Sequence, residues 1–198
     1  MSNLNNICNV NSSAICLNDT QKSLINFFDK HDRGIIEVTR QAGTSTALNA
    51  YIAWILLTQK NKNILVVVPN HGYRRNFMQT FSDHFTKVDT SNLIRYNTGL
   101  VENSSTNSIL RIETAAVMYN IKGITLDYVF FDNFYSQSLA TIDDIMQSIN
   151  PMVNGKMHLI NSLYVSINTF TNLPYFKNSN FVLWDDDFEH IIDKLIKL

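Results

Sequence analysis

Short apolar, β-branched runs alternating with helical patterns predict an α/β fold, a mostly parallel sheet with helices on both faces, and three segments carry that prediction. Gly34-Ile-Ile-Glu-Val-Thr-Arg-Gln-Ala-Gly-Thr-Ser-Thr46 reads as a buried strand running into a tight turn of the kind that binds phosphate. Ile64-Leu-Val-Val-Val-Pro69 is a β-branched run stopped by proline, the pattern of a central parallel strand. Leu126-Asp-Tyr-Val-Phe-Phe-Asp-Asn133 is another buried run, and it ends in a carboxylate and an amide.

The elements follow in order. An Asn/Ser-rich segment, 1–16, reads as a loose terminal arm, and 17–198 as a single domain. Asp19-Thr-Gln-Lys-Ser-Leu-Ile-Asn-Phe-Phe has a capping start and apolar residues at helical spacing. A strand over 35–38 precedes a helix over 46–59 that is apolar nearly all round, which predicts burial beneath other elements. Strand 64–68 leads to a helix over 73–85. Segments 92–97 and 108–113 read as short strands around the polar turn 102–107, and 115–120 as a turn of helix. Strand 128–131, helix 138–148 ended by Asn150-Pro151, strand 157–160, strand 180–184 and a closing helix over 188–198 complete the chain.

The 198 residues suffice for one sizeable core. The longest apolar run, 51–57, is far too short to cross a bilayer, and the start of the chain has no basic and apolar leader pattern, so the reading is a soluble, intracellular protein. Cys8 and Cys16 lack zinc-site spacing and read as free thiols. Net charge is −1, but residues 60–122 carry eight Lys or Arg against four acids and 123–198 four against nine. That asymmetry suits a middle third facing phosphates, or solvated faces alone. The five histidines lack metal-ligand spacing; His158, inside a strand, is expected to be a hydrogen-bonded core residue. Asp185-Asp-Asp187 reads as a solvated loop.

A phosphate loop works because a turn between strand end and helix start aims backbone N–H groups at phosphate, while a lysine neutralises the outer oxygens and a hydroxyl holds magnesium. Arg40-Gln-Ala-Gly-Thr-Ser-Thr46 departs from that pattern at its first glycine and at its lysine, which is Thr44. Taken alone, the segment is equally an ordinary strand-to-helix turn capped by Thr or Ser. Asp132 either caps the following helix or marks a ligand site at a strand's C-terminal end, and the latter is favoured in open α/β sheets, where successive right-handed crossovers are expected to put Asp132 and the turn 40–46 on adjacent strand ends.

The order Leu17-Asn-Asp-Thr-Gln21, Thr39-Arg-Gln-Ala-Gly-Thr-Ser-Thr46, Ile64 to Pro69, Lys122 to Asn133 and Lys156-Met-His-Leu-Ile-Asn-Ser162 resembles the ATPase domain of the large terminase subunit of tailed bacteriophages. The resemblance implies a P-loop NTPase-like fold of the RecA/terminase type, with ATP and magnesium as cofactors. By position, Gln21 would contact adenine, Gly43, Thr44, Ser45 and Thr46 would hold phosphate, and Arg40 would sit near the γ-phosphate. Ser45 and Asp132 would hold magnesium. Two substitutions depart from the family. Thr44 removes a phosphate-neutralising charge, and Asn133 replaces the glutamate that positions the attacking water. Nothing in the sequence corresponds to the family's nuclease domain.

The resemblance therefore implies a terminase-like protein, catalytically degenerate, that acts in viral genome packaging by binding a terminase, portal or other phage protein, or DNA, in the cytoplasm of the infected cell. An oligomer fits this reading. The alternatives are an active packaging ATPase in which Arg40 replaces the missing lysine, and a single-domain helicase-like nucleotide-binding module. Lys60, Lys62, Arg74, Arg75 and Lys87, on or beside the helix that follows the second strand, are the expected DNA or partner contacts.

Overall fold

Asn18 starts the first helix, α1 (Asp19–Lys30), by a reciprocal capping box. Its side chain accepts the Gln21 N–H at 2.9 Å while the Gln21 side chain accepts the Asn18 N–H at 2.9 Å. The computed structural model describes residues 17–38, 43–85, 94–97, 99–116, 121, 123–133, 139–162, 180–184 and 194–195. The N-terminal arm, Arg40, Lys87 and Asp185–Asp187 lie outside the described residues.

Strand β1 (Arg33–Val38) leads towards α2 (Thr44–Thr58), followed by β2 (Asn63–Val68) and α3 (His71–Phe85). Three strands come next: β3 (Ile94–Asn97), β4 (Leu100–Asn103) and β5 (Ser108–Thr114). Strand β6 (Leu126–Asp132), α4 (Leu139–Ile149), β7 (Val153–Ser162), β8 (Asn180–Trp184) and β9 (Lys194–Leu195) complete the order. The strands form one sheet in the order β3-β4-β5-β2-β6-β7-β1-β8-β9. The six strands from β5 to β8 are parallel neighbours, whereas β3, β4 and β9 join antiparallel at the edges.

Each sheet face buries its own core. Leu24, Ile25 and Phe28 of α1, residues 47–56 of α2 other than Asn49, and Phe77 and Phe81 of α3 pack on Ile36, Ile64, Val66, Tyr128, Phe130 and Ile160. Ile142, Ile145, Met146 and Ile149 of α4 pack on Ile35, Leu65, Val67, Val129, Phe131 and Leu159. Alternate residues of β1, β2, β6 and β7 thus serve opposite faces, so these strands read as continuous apolar runs. Buried Leu and Ile side chains of this kind each contribute on the order of 2 kcal/mol.

Four expectations need correction. The loop strand and the Asp132 strand are not adjacent: β7 pairs with both and lies between them. Parallel crossovers limit handedness but leave a strand free to insert between earlier ones, and β7, buried on both faces, fills that central place. The segment read as a polar turn from 102 begins in β4, which pairs with β5 as a hairpin, and the turn itself covers 104–107. Where a closing helix was expected, Lys194–Leu195 pairs as strand with Asn180 and Phe181. His158 is a core residue as expected, buried among the rings of Phe27, Phe28 and Phe130, 5.2 to 5.9 Å away, but among the described residues its ring nitrogens make no well-formed hydrogen bond beyond a marginal contact with the Phe28 backbone. Burial holds it neutral, with its pKa lowered to about 3.

Candidate functional site

The start of α2 is built by glycine rather than by a side-chain cap. Gly43 occupies the N-cap with φ 74° and ψ 25°, a left-handed conformation that favours glycine, and makes no side-chain cap bond. The expectation of a Thr or Ser cap is therefore not met, and the helix begins two residues earlier than its apolar pattern suggests. Its first backbone bond runs from the Ala47 N–H to the Gly43 carbonyl at 3.1 Å. The N–H groups of Thr44, Ser45 and Thr46 precede that bond, at the positive end of the helix dipole, where an anion is stabilised. All four residues from Gly43 to Thr46 are partly exposed.

Gln21 reaches this turn across 22 residues of chain. Its Nε2 donates to the Gly43 carbonyl at 3.3 Å, while its Oε1 is held by the capping box of α1. A Cβ on Gly43 would collide with that same Nε2. The carboxamide expected to read a base is thus largely engaged in holding the loop glycine, and among the described residues one of its N–H bonds is left over.

Asp132 ends β6 on the face that carries α2, since Tyr128 and Phe130, two and four residues earlier, belong to the core beneath that helix. It is 4% exposed. Burial raises its carboxyl pKa to about 7, an effect partly opposed by the Asn133 amide, which donates to Oδ1 at 3.2 Å. A nearby cation would restore its ionised form. Asn133 has φ 57°, a conformation that asparagine tolerates better than glutamate, and its N–H donates to the Ile160 carbonyl at 3.0 Å. Asn133 therefore finishes the β6–β7 ladder through its backbone.

The basic residues do not form one patch. Lys60 and Lys62 precede β2 and sit at the sheet edge opposite to Arg74 and Arg75, which follow it; the six-residue strand holds the pairs about 20 Å apart. Lys62 pairs with Asp127 at 3.1 Å and Arg74 with Glu113 at 3.5 Å, so both have structural roles. Lys60 and Arg75 are exposed. Of these, Arg74 and Arg75 share the C-terminal sheet edge with Asp132 and the α2 turn.

Sequence reasoning missed two groups near this edge. Glu37 of β1 is 1% exposed, its Oε1 lacks a partner among the described residues, and burial raises its pKa to about 7. It shares a face with Ile35 and lies on the side of the sheet away from α2. Asn49 of α2 is also 1% exposed with neither carboxamide atom paired. A lone polar residue in an otherwise apolar helix was the available signal. Among the described residues no group of three or more His, Cys, Asp or Glu is arranged for a metal, and no helix is long and apolar enough to cross a membrane.

No protein-family model matches the chain, and no curated protein matches it in sequence. Solved structures do match in fold. The large terminase ATPase domain of Thermus phage P74-26 superposes with a TM-score of 0.62 at 14% identity, over 78% of this chain and 67% of that one. The UvsW helicase of bacteriophage T4 gives 0.60 at 16% identity, over 85% of this chain and 60% of that one. The large terminase of a thermophilic bacteriophage, solved in complex with ATP-gamma-S, gives 0.54 at 14% identity, over 74% of this chain and 38% of that one. The chain thus has the P-loop NTPase-like fold of phage terminase ATPase domains and a phage helicase, and spans little more than a third of the terminase solved with ATP-gamma-S.

Proposed function

We propose that this chain is a terminase-like nucleotide-binding module that binds ATP or ADP weakly, turns ATP over slowly or not at all, and acts through a partner in phage genome packaging. The observation that carries this reading is the pairing of an uncapped helix start at Gly43–Thr46 with a buried carboxylate, Asp132, on the same face of the sheet's C-terminal edge. Open α/β sheets bind ligands at such edges. The terminase complex with ATP-gamma-S supports the choice of ligand.

The residues fit the group chemically. The N–H groups of Thr44 to Thr46 would receive phosphate oxygens, the Ser45 hydroxyl and Asp132 would hold magnesium, and the remaining N–H of Gln21 is available to a base. Magnesium, when bound, would neutralise phosphate charge and stabilise the ionised form of Asp132. Thr44 supplies no charge in return, and an amide at Asn133 cannot take a proton from water. Each deficit is of the size of a lost transition-state contact, about 3 kcal/mol, which together reduce turnover by several orders of magnitude. Arg40 is the residue by which an active ATPase would compensate.

The inferred partners are a terminase, a portal or another phage protein, in the cytoplasm of an infected cell, with Arg75 the best-placed exposed cation for an acidic surface or DNA. Likeness to the T4 helicase over 85% of this chain favours, as second reading, a helicase-like nucleic-acid module. Thr44→Lys tests the first reading: it should tighten ATP binding about tenfold or more by supplying a charged contact. Unchanged affinity would remove the phosphate site from the account. Salt-sensitive DNA binding lost in Arg75→Glu would favour the nucleic-acid contact, and binding unchanged by that substitution would reject it.

A further inference from the structure

Asn49 is the buried group that the fold explains least. Its neighbours along α2, Ala47, Leu48, Ala50, Tyr51, Ile52 and Ala53, are all buried and apolar. Among the described residues its carboxamide has no partner for either Nδ2 or Oδ1. A buried polar group without partners subtracts from stability, and asparagine is a poorer helix former than leucine, which has similar bulk. A chain selected for stability alone would carry an apolar residue here.

Its position points to a ligand instead. Asn49 lies four residues beyond Ser45, and residues at that spacing are neighbours on one helix face. Helical side chains lean back over the preceding turn, which for Asn49 is the turn starting at Ser45. That turn is entered through left-handed Gly43 and is partly exposed, whereas Asn49, one helical turn on, is buried. The unpaired carboxamide and the glycine-built helix start are independent features one helical turn apart.

We propose that Asn49 is a positioning residue for the phosphate and cation site, its Oδ1 accepting the Ser45 hydroxyl hydrogen so that the Ser45 oxygen lone pairs turn to a divalent cation. The assignment rests on the nucleotide-binding reading above. Without nucleotide and cation the carboxamide carries its cost unrelieved. With magnesium and a nucleoside diphosphate bound, the Ser45 hydroxyl is fixed and the carboxamide gains its partner.

The test uses the full chain, ADP as probe, and calorimetry with magnesium or with EDTA, together with thermal melting without ligand. Asn49→Leu should melt a few degrees higher than wild type, as an orphaned polar group is removed, yet bind ADP with magnesium about five- to tenfold more weakly. Binding in EDTA should change by less than about twofold, since Asn49 acts through the cation's ligand. Ser45→Ala should lose magnesium-dependent affinity similarly, and adding Asn49→Leu to it should cost nothing further. Should the leucine variant not fold, Asn49→Ala must show the same magnesium-specific loss.

If Asn49→Leu binds ADP with magnesium as wild type does, the carboxamide takes no part in the site and the proposal is wrong while the nucleotide reading stands. If wild type itself binds no ADP with magnesium at millimolar concentration, both are wrong. Equal losses with magnesium and with EDTA would also overturn the positioning role.

Discussion

Asp132→Asn is expected to stabilise the protein at alkaline pH while abolishing the magnesium-dependent part of nucleotide binding. The carboxyl is buried at the end of β6, and burial moves it from the ordinary aspartate value of 3.8 to about 7. Because the folded value is the higher one, the folded state holds a proton that the unfolded chain has released, and stability falls as pH rises from about 4 to 7. Above that window the difference corresponds to about 4 kcal/mol withheld; relaxation around the charge, which raises the effective dielectric of a protein interior, reduces it to about 2 kcal/mol. For a chain of this size that is a rise in Tm of about 4 to 8 °C for the variant at pH 8. The gain should be smaller at pH 5 and vanish near pH 4. Melting followed by circular dichroism at these pH values measures it. An Asp132→Asn variant that melts with wild type at pH 8, or gains equally at pH 4 and 8, would refute the buried, uncompensated carboxylate.

Glu37→Gln should behave likewise, with greater stability at pH 8 than wild type and little difference near pH 4, because burial raises the Glu37 pKa to about 7; unlike Asp132→Asn it should leave magnesium-ADP binding unchanged, since it lies on the other sheet face. Gly43→Ala forces a side chain into φ 74° and against Gln21 Nε2, and should cost about 2 kcal/mol in urea denaturation. Gln21→Ala should recover part of that cost in the double variant, and strict additivity would count against the contact. Asn103→Ala should cost about 3 kcal/mol in the same assay, since its buried carboxamide donates to the Leu56 carbonyl at 2.8 Å and accepts the Ser105 N–H at 2.9 Å. A cost below about 0.5 kcal/mol would show that Thr106, which also donates to Leu56, suffices.

Strands β1, β2, β6 and β7 were legible because burial on both faces leaves continuous β-branched and aromatic runs. Their lateral order was not, since a crossover helix fixes handedness without naming the neighbour, and β7 entered between β6 and β1. Strand β4 escaped because Leu100-Val-Glu-Asn is short and half polar, its residues alternating between buried and partly exposed. At the candidate site, Gly43, Ser45 and Asp132 could be read from their places after buried strands. The Gln21 to Gly43 contact could not, as it joins two elements 22 residues apart. Asn49 stood out only as a lone polar residue in an apolar helix, a signal that says nothing of its lacking a partner, and Glu37 reads as any acid until its strand is known to be interior. Closeness in sequence misled for the cations, because β2 separates Lys60 and Lys62 from Arg74 and Arg75 by its whole length.

Calorimetric titration of the wild-type chain with ATP, with magnesium and with EDTA, alongside a turnover assay, tests the central claim most directly. A phosphate site without its lysine predicts weak binding, Kd in the range of about 0.1 to 1 mM, tightened by magnesium, with turnover far below the ~1 per second of an ordinary enzyme. No heat of binding at several millimolar ATP would contradict a retained nucleotide site, and turnover at ordinary enzyme rates would contradict its degeneracy.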